Sequence, residues 1–575
     1  MRSSDDATDA DRTTRPRPWV ASYAAGVPSD IPEQTGSLGD LVEQSAASYP
    51  DAVALEFFGA TTNYTELTEQ IARAAEGLRS LGVRSGDTVA LMLPNCPQHI
   101  VAFYAVLRLG AVVIEHNPLY TPQELRHQFE DHRAKVAIVW DKVAPHLQDF
   151  PADLAVTSLI TIDITRAMPA TMRLALRLPI KKAKESRAQL TGPVSGTIRW
   201  ESLLASNPID PEHPKPATSQ LALIQYTSGT TGSPKGAALT HANLLANAAQ
   251  SRAWVPTVKR GEAVVYAVLP MFHAYGLTLC LTFAMSMGSR LVLFPKFDPD
   301  LVLKVMRKRP PTFLPAVPPI ADRLLAAATA QGVSIRGTEI AISGAMALPH
   351  ELVVPFERAS GGFLVEGYGL SECSPVISAN PVSDGRKPGT IGLPLPSTEV
   401  KIVDPEDPTT ERPTGEPGEL LVRGPQVFQG YYNKPQESAA VLLPGGWFRT
   451  GDIVRIDDEG FMTVVDRIKE LIITGGFNVA PTEVEHVLRS HPSITDAAVV
   501  GLPSAHSGEE VVAAVVVAPG QTLDVEELRA YARGILTPYK VPRRIVQVDA
   551  LPTSLIGKVL RRSVREQLLQ DDQQH

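Results

Sequence analysis

Short apolar segments alternate with segments of helical length along most of the chain. "TVALMLP" from Thr88 has the character of a buried strand, "PQHIVAFYAVLRLG" is long enough for a helix that ends at Gly110, and "AVVIEHNP" is strand-like again. The same alternation recurs at "KVAIVW", "RLVLFP" and "EIAISG". This order is typical of βαβ units, in which helices cover a largely parallel sheet. The chain is therefore predicted to be an α/β protein.

The carboxyl-terminal part has a different pattern. From about Asp466 the apolar runs are shorter, and a helix is predicted near Val525 to Ile535. A chain of 575 residues exceeds what one hydrophobic core usually serves, so at least two domains are expected. We predict a disordered tail over 1–30, a large N-terminal domain over 31–465, a hinge at 466–470 and a small α+β domain over 471–575.

Composition excludes several functional classes. The formal net charge of −8 gives no support for nucleic-acid binding, which normally needs a basic face. The three cysteines are far apart and form no CxxC pair, which argues against a disulfide framework and fits a reducing compartment. The first residues, "MRSSDDATDADRTTRPRP", have no apolar region of the kind found in secretory signals. We expect a cytoplasmic protein, and the sequence leaves open whether it is a monomer or a homodimer.

One segment is strongly basic. "RAMPATMRLALRLPIKKAKESRAQL" from Arg166 carries seven basic side chains and one acidic one, with methionines and leucines between them. Such a stretch can lie on an anionic membrane surface, and a solvated surface connection is the alternative. Pro169 and Pro179 limit any helix between them. Residues 166–190 are therefore a candidate for peripheral contact with the inner face of a membrane.

A glycine-rich loop follows a predicted buried strand in "LALIQYTSGTTGSPKG". Glycines permit positive φ and close backbone approach, so that successive N–H groups can converge on an anion. The spacing differs from the GxxxxGK[ST] of a Walker loop. The residues predicted to hold phosphate are Thr227, Ser228, Gly229, Thr230, Thr231, Gly232 and Lys235.

Seven further motifs follow in a fixed order. They are "PMFHAYG", "SGAMAL", "VEGYGLSE", "GELLVRGPQVFQGYYN", "GWFRTGDI", "VDRIKELIITGGFNVAPTEVE" and "LPTSLIGKVLRR". Together with the loop, they resemble the adenylate-forming superfamily, which contains acyl-CoA synthetases, aryl-CoA ligases, luciferases and peptide-synthetase adenylation domains. The resemblance spans roughly residues 35 to 565. It implies a large adenylation domain of several α/β subdomains, a small mobile α+β domain, and a requirement for ATP, Mg²⁺ and coenzyme A.

The resemblance also implies catalytic residues. Lys558 would bridge the substrate carboxylate and the α-phosphate during adenylation, offsetting the repulsion of two anions. Glu372 would be a hard oxygen ligand for Mg²⁺, with Thr227 beside it. His273 would flank the acyl carboxylate, and Ser371 belongs to the same motif as Glu372.

Nucleotide and coenzyme A sites follow from the same resemblance. Tyr368 would offer a ring face to adenine, Asp452 would contact the ribose hydroxyls, and Arg467 would approach the ribose or phosphate. The hinge would turn at Lys469 and bring Gly475 and Gly476 to a pantetheine tunnel. The full set comprises the loop residues above with Gly344, Ala345, Glu366, Gly367, Tyr368, Gly369, Asp452, Arg467, Lys469, Gly475 and Gly476.

The expected reaction is the activation of a carboxylic acid to acyl-AMP, followed by transfer to coenzyme A. The residues expected around the acyl chain are His273, Tyr275, Gly276, Gly369, Pro375 and Val376. Small residues at Gly276, Gly344, Gly369 and Ser374 are interpreted as room for an alkyl chain. The segment "PWVASYAAGVPSDI" and the basic segment resemble those of long-chain fatty-acid–CoA ligases, although "HAYGLT" lacks the tryptophan that gates the tunnel in some of them.

Three alternatives stay open. The acid could be aromatic, as in coumarate-type ligases, or the acceptor could be a carrier protein, as in fatty acyl-AMP ligases. A catalytically inactive nucleotide-binding scaffold is the third.

Overall fold

The computed structural model describes residues 16–150, 154–227, 234–474, 477–504, 508–554 and 557–574. The chain divides into two compact units. The first comprises Met1–Glu399 with Arg423–Phe448, and the second comprises Val400–Val422 with Arg449–His575. Both units mix helices with sheets, which confirms the predicted α/β class.

The first sheet carries the glycine-rich loop. Its strands are parallel except for the last pair, which is an antiparallel hairpin. In spatial order the strands are Ile198–Arg199, Ser158–Ile162, Val136–Trp140, Thr88–Met92, Val112–Glu115, Leu221–Thr227 and Lys235–Thr240. The strands predicted from "TVALMLP", "AVVIEHNP" and "KVAIVW" are thus confirmed as neighbours in one parallel sheet.

The second sheet has nine strands and a parallel centre. Its two ends are antiparallel. In spatial order the strands are Leu393–Pro394, Val376–Ala379, Phe363–Gly369, Ile340–Ser343, Phe313–Ala316, Val264–Ala267, Arg290–Leu293, Val53–Phe57 and Ala60–Asn63. A buried cluster that includes Tyr266, Phe294, Leu314 and Phe356 covers one face of this sheet.

Helices cover the sheets of the first unit, and three of them begin with reciprocal capping boxes. Asn63, Thr121 and Thr240 each accept a hydrogen bond from the backbone three residues ahead, and the side chain there bonds back. Each box satisfies two of the N–H groups that a helix start leaves without partners. The helices of this unit are Asp40–Ser48, Tyr64–Ser80, Pro97–Arg108, Pro122–His132, Ala144–Gln148, Ala170–Ala175, Lys181–Leu190, Trp200–Leu204, His241–Trp254, Ala274–Gly276, Phe283–Met287, Pro299–Met306, Pro318–Gln331, His350–Ser360 and Pro435–Val441, with a π-helical turn at Leu277–Thr282.

Two further sheets are smaller. One is made of Glu399–Val403, Gly418–Arg423, Trp447–Ile456 and Leu442–Leu443 in this order, with Met462–Arg467 paired to Trp447–Ile456. The other is made of Phe477–Val479, Ile472–Thr474, Gly508–Val517 and Ile494–Ser504, with Arg544–Gln547 paired to Gly508–Val517. The helices Pro481–Arg489, Val525–Arg533 and Arg561–Gln574 pack with the latter sheet. The predicted helix near Val525 is confirmed.

The structure differs from the expected tail at residues 16–30. Trp19 is buried, the Tyr23 hydroxyl donates to the Pro394 carbonyl at 2.6 Å, and Arg17 pairs with Asp30. The contacts of Trp19 and Tyr23 pack the segment onto the rest of the first unit, because aromatic side chains supply apolar burial that the charged flanking residues lack. Residues 1–15 lie outside the described chain.

No helix among the described residues is long and apolar enough to cross a membrane.

Candidate active site

An antiparallel hairpin holds both ends of the glycine-rich loop. Thr227 ends one strand and pairs directly with Lys235, which begins the next, and the Thr227 hydroxyl donates to the Lys235 carbonyl at 3.4 Å. The loop residues between them, Ser228, Gly229, Thr230, Thr231 and Gly232, lie outside the described residues. The predicted strand that runs into the loop is confirmed as Leu221–Thr227.

Lys235, Tyr431 and Glu372 meet beside this hairpin. The Lys235 ammonium lies over the Tyr431 ring at 5.1 Å from its centroid. The Tyr431 hydroxyl donates a hydrogen bond of 2.8 Å to Glu372 Oε1. Burial and the nearby Glu372 raise the pKa of Tyr431, so the phenol keeps the proton that it donates. A cation, a neutral hydrogen-bond donor and a carboxylate therefore contact one another in that order at the end of the loop hairpin.

Glu372 and Ser371 lie on a short turn after a strand of the second sheet. Ser371–Cys373 forms a 3₁₀ turn just beyond Phe363–Gly369, and the Glu372 carbonyl accepts the Phe428 N–H at 2.8 Å. Among the described residues, no group of three His, Cys, Asp or Glu side chains could hold a metal ion. Mg²⁺ is commonly held by one or two carboxylates together with substrate phosphates. A single carboxylate beside a phosphate-loop lysine fits that ion.

The residues predicted for adenine lie on two neighbouring strands. Ile340–Ser343 leads into Gly344 and Ala345, and the parallel strand Phe363–Gly369 contains Glu366, Gly367 and Tyr368. A Cβ at Gly344 would approach the Tyr275 ring to 3.1 Å and the Gly367 carbonyl to 3.2 Å. The Tyr275 hydroxyl donates to the Ile342 carbonyl at 2.8 Å, which fixes the ring against Gly344.

Glu366 is a buried carboxyl in this group. Burial raises its pKa to about 8, and a hydrogen bond from the Leu348 backbone opposes the shift. The group therefore holds its proton near neutral pH and can donate a hydrogen bond.

Two glycines in the predicted acyl pocket have a different physical role from the one that we expected. A Cβ at Gly276 would lie 2.1 Å from the Pro270 carbonyl oxygen, and one at Gly369 would lie 2.0 Å from the Pro375 carbonyl oxygen. Backbone occupies the space beside both residues, so their smallness does not make room for an alkyl chain. The interpretation of Gly276 and Gly369 as open space is wrong in this respect.

The other predicted acyl-site residues lie in the segment after Gly369 and at the start of a short helix. Pro375 and Val376 follow Gly369 on the returning strand, and Ser374 donates to the Gln426 carbonyl at 2.9 Å. His273 Nδ1 accepts the Tyr275 N–H at 3.3 Å and caps a short helix, and burial lowers its pKa. A neutral His273 beside an apolar helical stretch without charged residues suits an uncharged acyl chain.

The second unit carries a separate cluster. Asp452 and Arg467 pair across two antiparallel strands, and the Arg467 Nε lies 2.8 Å from the Asp452 Oδ1. The Asp452 side chain is only 3% exposed. The pairing of the two strands places Asp452 directly opposite Arg467. The predicted ribose-binding residues are thus direct neighbours.

Lys558 belongs to the same cluster. Its N–H donates to Ser554 Oγ at 3.1 Å, and Gly557 has a φ of 81° that permits the tight turn before it. Burial lowers the Lys558 pKa to about 8, and Arg467 contributes to the lowering, whereas Glu470 and Asp452 oppose it. Lys558 therefore lies within electrostatic reach of the Asp452–Arg467 pair.

Arg561 connects the Lys558 segment to the predicted hinge. Its guanidinium pairs with Glu470, bonds both oxygens of Glu485 at 2.7 and 2.8 Å, and bonds the Thr482 hydroxyl at 2.8 Å. Ile468–Glu470 forms a 3₁₀ turn that contains Lys469, whose side chain is outside the described part of the chain. Gly475 and Gly476 are likewise outside it.

Tyr431 and Arg561 were not among the site residues predicted from the sequence. Both lie in motifs that were recognised, "GYYN" and "KVLRR". The only available signal was their membership of those motifs, since each reaches its partners through long-range contacts.

Comparison with known proteins agrees with the motif series. Residues 42–432 match the AMP-binding enzyme family, and residues 483–558 match the AMP-binding enzyme C-terminal domain. The long-chain-fatty-acid–CoA ligase of Bacillus subtilis (strain 168) is 39% identical over 556 residues, covering 96% of this chain and 98% of that protein. The long-chain-fatty-acid–CoA ligase of Escherichia coli O6:H1 is 38% identical over 555 residues, with the same coverage.

A solved structure shows the same fold. The Mycobacterium tuberculosis fatty acyl CoA synthetase has a TM-score of 0.72 and 27% sequence identity to this chain, and the match covers 92% of this chain and 98% of that one. The AMP-binding family match alone covers more than half of the residues. The chain belongs to the AMP-binding enzyme family.

Proposed function

We propose that this protein is an AMP-forming ligase that activates a long-chain fatty acid with ATP and transfers the acyl group to coenzyme A. The observation that carries the proposal is a pair of clusters of polar and charged side chains, one in each of the two units. One cluster consists of Lys235, Tyr431 and Glu372. The other contains Asp452, Arg467 and Lys558. The preference for a long-chain acid is supported by the names of the relatives.

The first half-reaction joins the acid to AMP. The substrate carboxylate attacks the α-phosphorus of ATP, and pyrophosphate leaves. Lys235 and the loop amides would receive the phosphates, and the Lys558 ammonium would offset the repulsion between the carboxylate and the α-phosphate. Glu372 would hold Mg²⁺, which neutralises phosphate charge when bound.

The second half-reaction transfers the acyl group to a thiol. The sulfur of coenzyme A attacks the carbonyl of the acyl-adenylate, and AMP leaves. We propose that the predicted small domain, residues 471–575, turns about Lys469 between the steps, so that Lys558 withdraws and the segment with Gly475 and Gly476 enters. Two reactions with different geometric needs would then share one site.

We further propose that residues 166–190 deliver the enzyme to an anionic membrane surface. The helices Ala170–Ala175 and Lys181–Leu190 lie in this segment. Leu174 in the first helix is 68% exposed, and Leu178 and Ile180 in the connection between the helices are 49% and 55% exposed. Exposed basic side chains surround these leucines and isoleucine: Arg173, Arg177, Lys181, Lys182, Lys184 and Arg187. Apolar residues among cations match the interface of an anionic bilayer, where a poorly soluble acid would be found.

Contacts at its carboxyl-terminal end hold this segment in place. The Trp140 indole donates to the Leu190 carbonyl at 2.9 Å, Lys142 donates to the Gln189 carbonyl at 3.2 Å, and Thr191 bonds Asp141. Met168 and Ala183 are buried beneath it. The segment is thus anchored while its leucines point outward.

An acid-dependent assay tests the function. Purified protein with MgATP and coenzyme A is given hexanoate, dodecanoate, palmitate, oleate, coumarate and ferulate in turn. AMP release, pyrophosphate release and the thioester product are measured together. We expect kcat/KM to be highest for the long fatty acids and AMP release to require coenzyme A.

Other outcomes assign the alternatives. Preference for coumarate would indicate an aryl-acid ligase. Pyrophosphate release with accumulated acyl-AMP and no coenzyme A thioester would indicate an acyl-AMP ligase. No pyrophosphate release with any acid would overturn the proposal.

A further inference from the structure

The segment from Gln429 to Tyr432 extends the sheet beside the phosphate loop. The Ala238 N–H donates to the Gly430 carbonyl at 3.0 Å, the Gln429 N–H donates to the Ala238 carbonyl at 3.3 Å, and the Tyr432 N–H donates to the Gly236 carbonyl at 2.8 Å. Ala237 and Tyr431 form an antiparallel bridge. The segment is therefore tied in register to the strand that Lys235 begins.

A neighbouring helix fixes the backbone of Tyr431 further. Its N–H donates to Ser438 Oγ at 2.8 Å, and its carbonyl accepts the Lys434 N–H at 3.1 Å. The Phe428 ring packs edge-on against the Tyr431 ring, with centroids 5.0 Å apart. With the backbone and one side of the ring held, few positions remain for the phenol.

The Tyr431 side chain links two oppositely charged groups that are remote in sequence. Its hydroxyl bonds Glu372 Oε1 at 2.8 Å, and its ring face receives the Lys235 ammonium at 5.1 Å. The hydrogen bond orients the plane of the carboxylate, whose two oxygens offer about four acceptor sites in all. The ring attracts the ammonium without neutralising it, since a cation–π contact transfers no charge.

We propose that Tyr431 is a positioning residue, which sets the distance and direction between the Glu372 carboxylate and the Lys235 ammonium. In this arrangement the Glu372 carboxylate would hold the Mg²⁺ that accompanies ATP, and the Lys235 ammonium would attract the phosphates. Tyr431 itself takes no part in bond making. The inference rests on the proposed function only in that the ligand is MgATP, whichever acid is the substrate.

Two matched variants test it. Tyr431→Phe removes one hydroxyl and keeps the ring below Lys235. Tyr432→Phe makes the same chemical change on the next residue, whose ring instead packs with Ile114, Ile224 and Tyr226. Binding of ATP is measured by titration calorimetry over a series of Mg²⁺ concentrations and again with EDTA.

We expect Tyr431→Phe to weaken ATP binding roughly tenfold in the presence of Mg²⁺, because a hydrogen bond to a charged group is lost. Binding with EDTA should change by about twofold or less, since Lys235 keeps its ring contact. Tyr432→Phe should bind like the wild type in both conditions. In steady state, the Mg²⁺ concentration for half-maximal adenylation should rise for Tyr431→Phe alone.

A third variant separates the two contacts. Tyr431→Leu removes the ring as well, so its ATP binding should also weaken in EDTA. Wild-type MgATP affinity in Tyr431→Phe would overturn the proposal, as would equal losses in Tyr431→Phe and Tyr432→Phe. These titrations contain no acid, so a failure of the proposed acid specificity would leave them unchanged, whereas a wild-type chain that binds no ATP would overturn the proposed function itself.

Discussion

At the scale of single residues, two buried histidines support the strand that leads into the phosphate loop. His116 Nδ1 contacts Gln128 Oε1 at 2.8 Å, His116 Nε2 contacts His132 Nε2 at 3.1 Å, and His132 Nδ1 accepts the Ala134 N–H at 3.1 Å. Because His132 Nδ1 is an acceptor, its Nε2 carries the proton and donates to His116, which in turn donates to Gln128. The chain of bonds is complete only when both imidazoles are neutral.

This network packs against Tyr226, immediately before Thr227. The rings of His116 and Tyr226 stack with centroids 6.2 Å apart, and the Tyr226 hydroxyl donates to Asp131 at 2.8 Å. Burial lowers the pKa of His116 to about 4, and the Gln128 bond opposes the shift. Burial also lowers the pKa of His132 well below its usual value.

We expect the stability of the first unit to fall as pH decreases from 6.5 toward 4. The folded pKa of His116 lies below the unfolded value of 6.5, so in this window the unfolded chain binds a proton that the folded chain excludes. The stabilisation is complete above pH 6.5, and its loss at His116 amounts to about 3 kcal/mol. In His116→Gln, the calorimetric midpoint should be lower at pH 7.5 but should decrease less between pH 7.5 and 5.

The exposed His350 provides the control for this experiment. His350→Gln should keep the wild-type dependence of the midpoint on pH. If His116→Gln lost as many degrees between the two pH values as the wild type, the neutral network would not be the source of the dependence.

The glycines show why some residue roles could not be predicted from sequence. Gly276, Gly344 and Gly369 look alike in the motifs. In the structure, a Cβ at Gly276 or Gly369 would collide with a carbonyl oxygen, whereas one at Gly344 would meet the Tyr275 ring. A glycine that lies against backbone and a glycine that lies against a ring have the same sequence signal, so only the fold separates them.

At the scale of elements, several strands of the parallel sheets could be predicted. Thr88–Met92, Val136–Trp140 and Ile340–Ser343 coincide with apolar runs, because strands covered on both faces carry few polar residues. The strand-like segment with Tyr431 could not be predicted in the same way. It joins the sheet through backbone hydrogen bonds, and Tyr431 lies 59 residues from Glu372 in the chain. Such pairing leaves no periodic pattern in sequence.

The basic segment gives a prediction about membrane contact. We expect the triple variant Leu174→Ser, Leu178→Ser, Ile180→Ser to bind vesicles of phosphatidylglycerol roughly tenfold or more weakly than the wild type, because three exposed apolar side chains no longer enter the interface. Co-sedimentation with these vesicles measures it. Binding of the wild type should also decrease with salt, since the basic side chains act through a screened potential.

A variant that loses exposed apolar side chains elsewhere is the control. Leu119 is 63% exposed and Val354 is 53% exposed, and neither belongs to the basic segment. Leu119→Ser with Val354→Ser should sediment like the wild type. Equal sedimentation of the triple variant and the wild type at low salt would dispose of the membrane proposal.

At the scale of the whole molecule, the proposed reaction divides its charged groups between two compact units. Lys235, Glu372 and Tyr431 belong to the first unit, and Asp452, Arg467 and Lys558 belong to the second. Within the second unit, Arg561 bonds Glu470 and Glu485 and so ties the segment after Lys558 to the turn that contains Lys469. A turn at Lys469 would therefore carry Lys558 together with the rest of residues 471–575, and Asp452 and Arg467 would stay behind.

This division predicts that Lys558 serves one half-reaction only. Lys558→Ala should lower adenylation by roughly a hundredfold or more, measured as acid-dependent ATP–pyrophosphate exchange. Thioester formation from synthetic acyl-adenylate and coenzyme A should remain within about threefold of the wild type, because the two anions that Lys558 separates are already joined in the adenylate.

The pKa of Lys558 adds a second readout to the same experiment. Only the ammonium form offsets the two anions, and its pKa is lowered to about 8. Adenylation by the wild type should therefore decline as pH rises through about 8, while thioester formation from acyl-adenylate should show no decline from this group. Lys558→Arg keeps its charge at all these pH values, so whatever adenylation it retains should lack the decline. Equal losses of both half-reactions in Lys558→Ala would mean that residue 558 stabilises the second unit as a whole, and the exchange of roles at one site would then have to be abandoned.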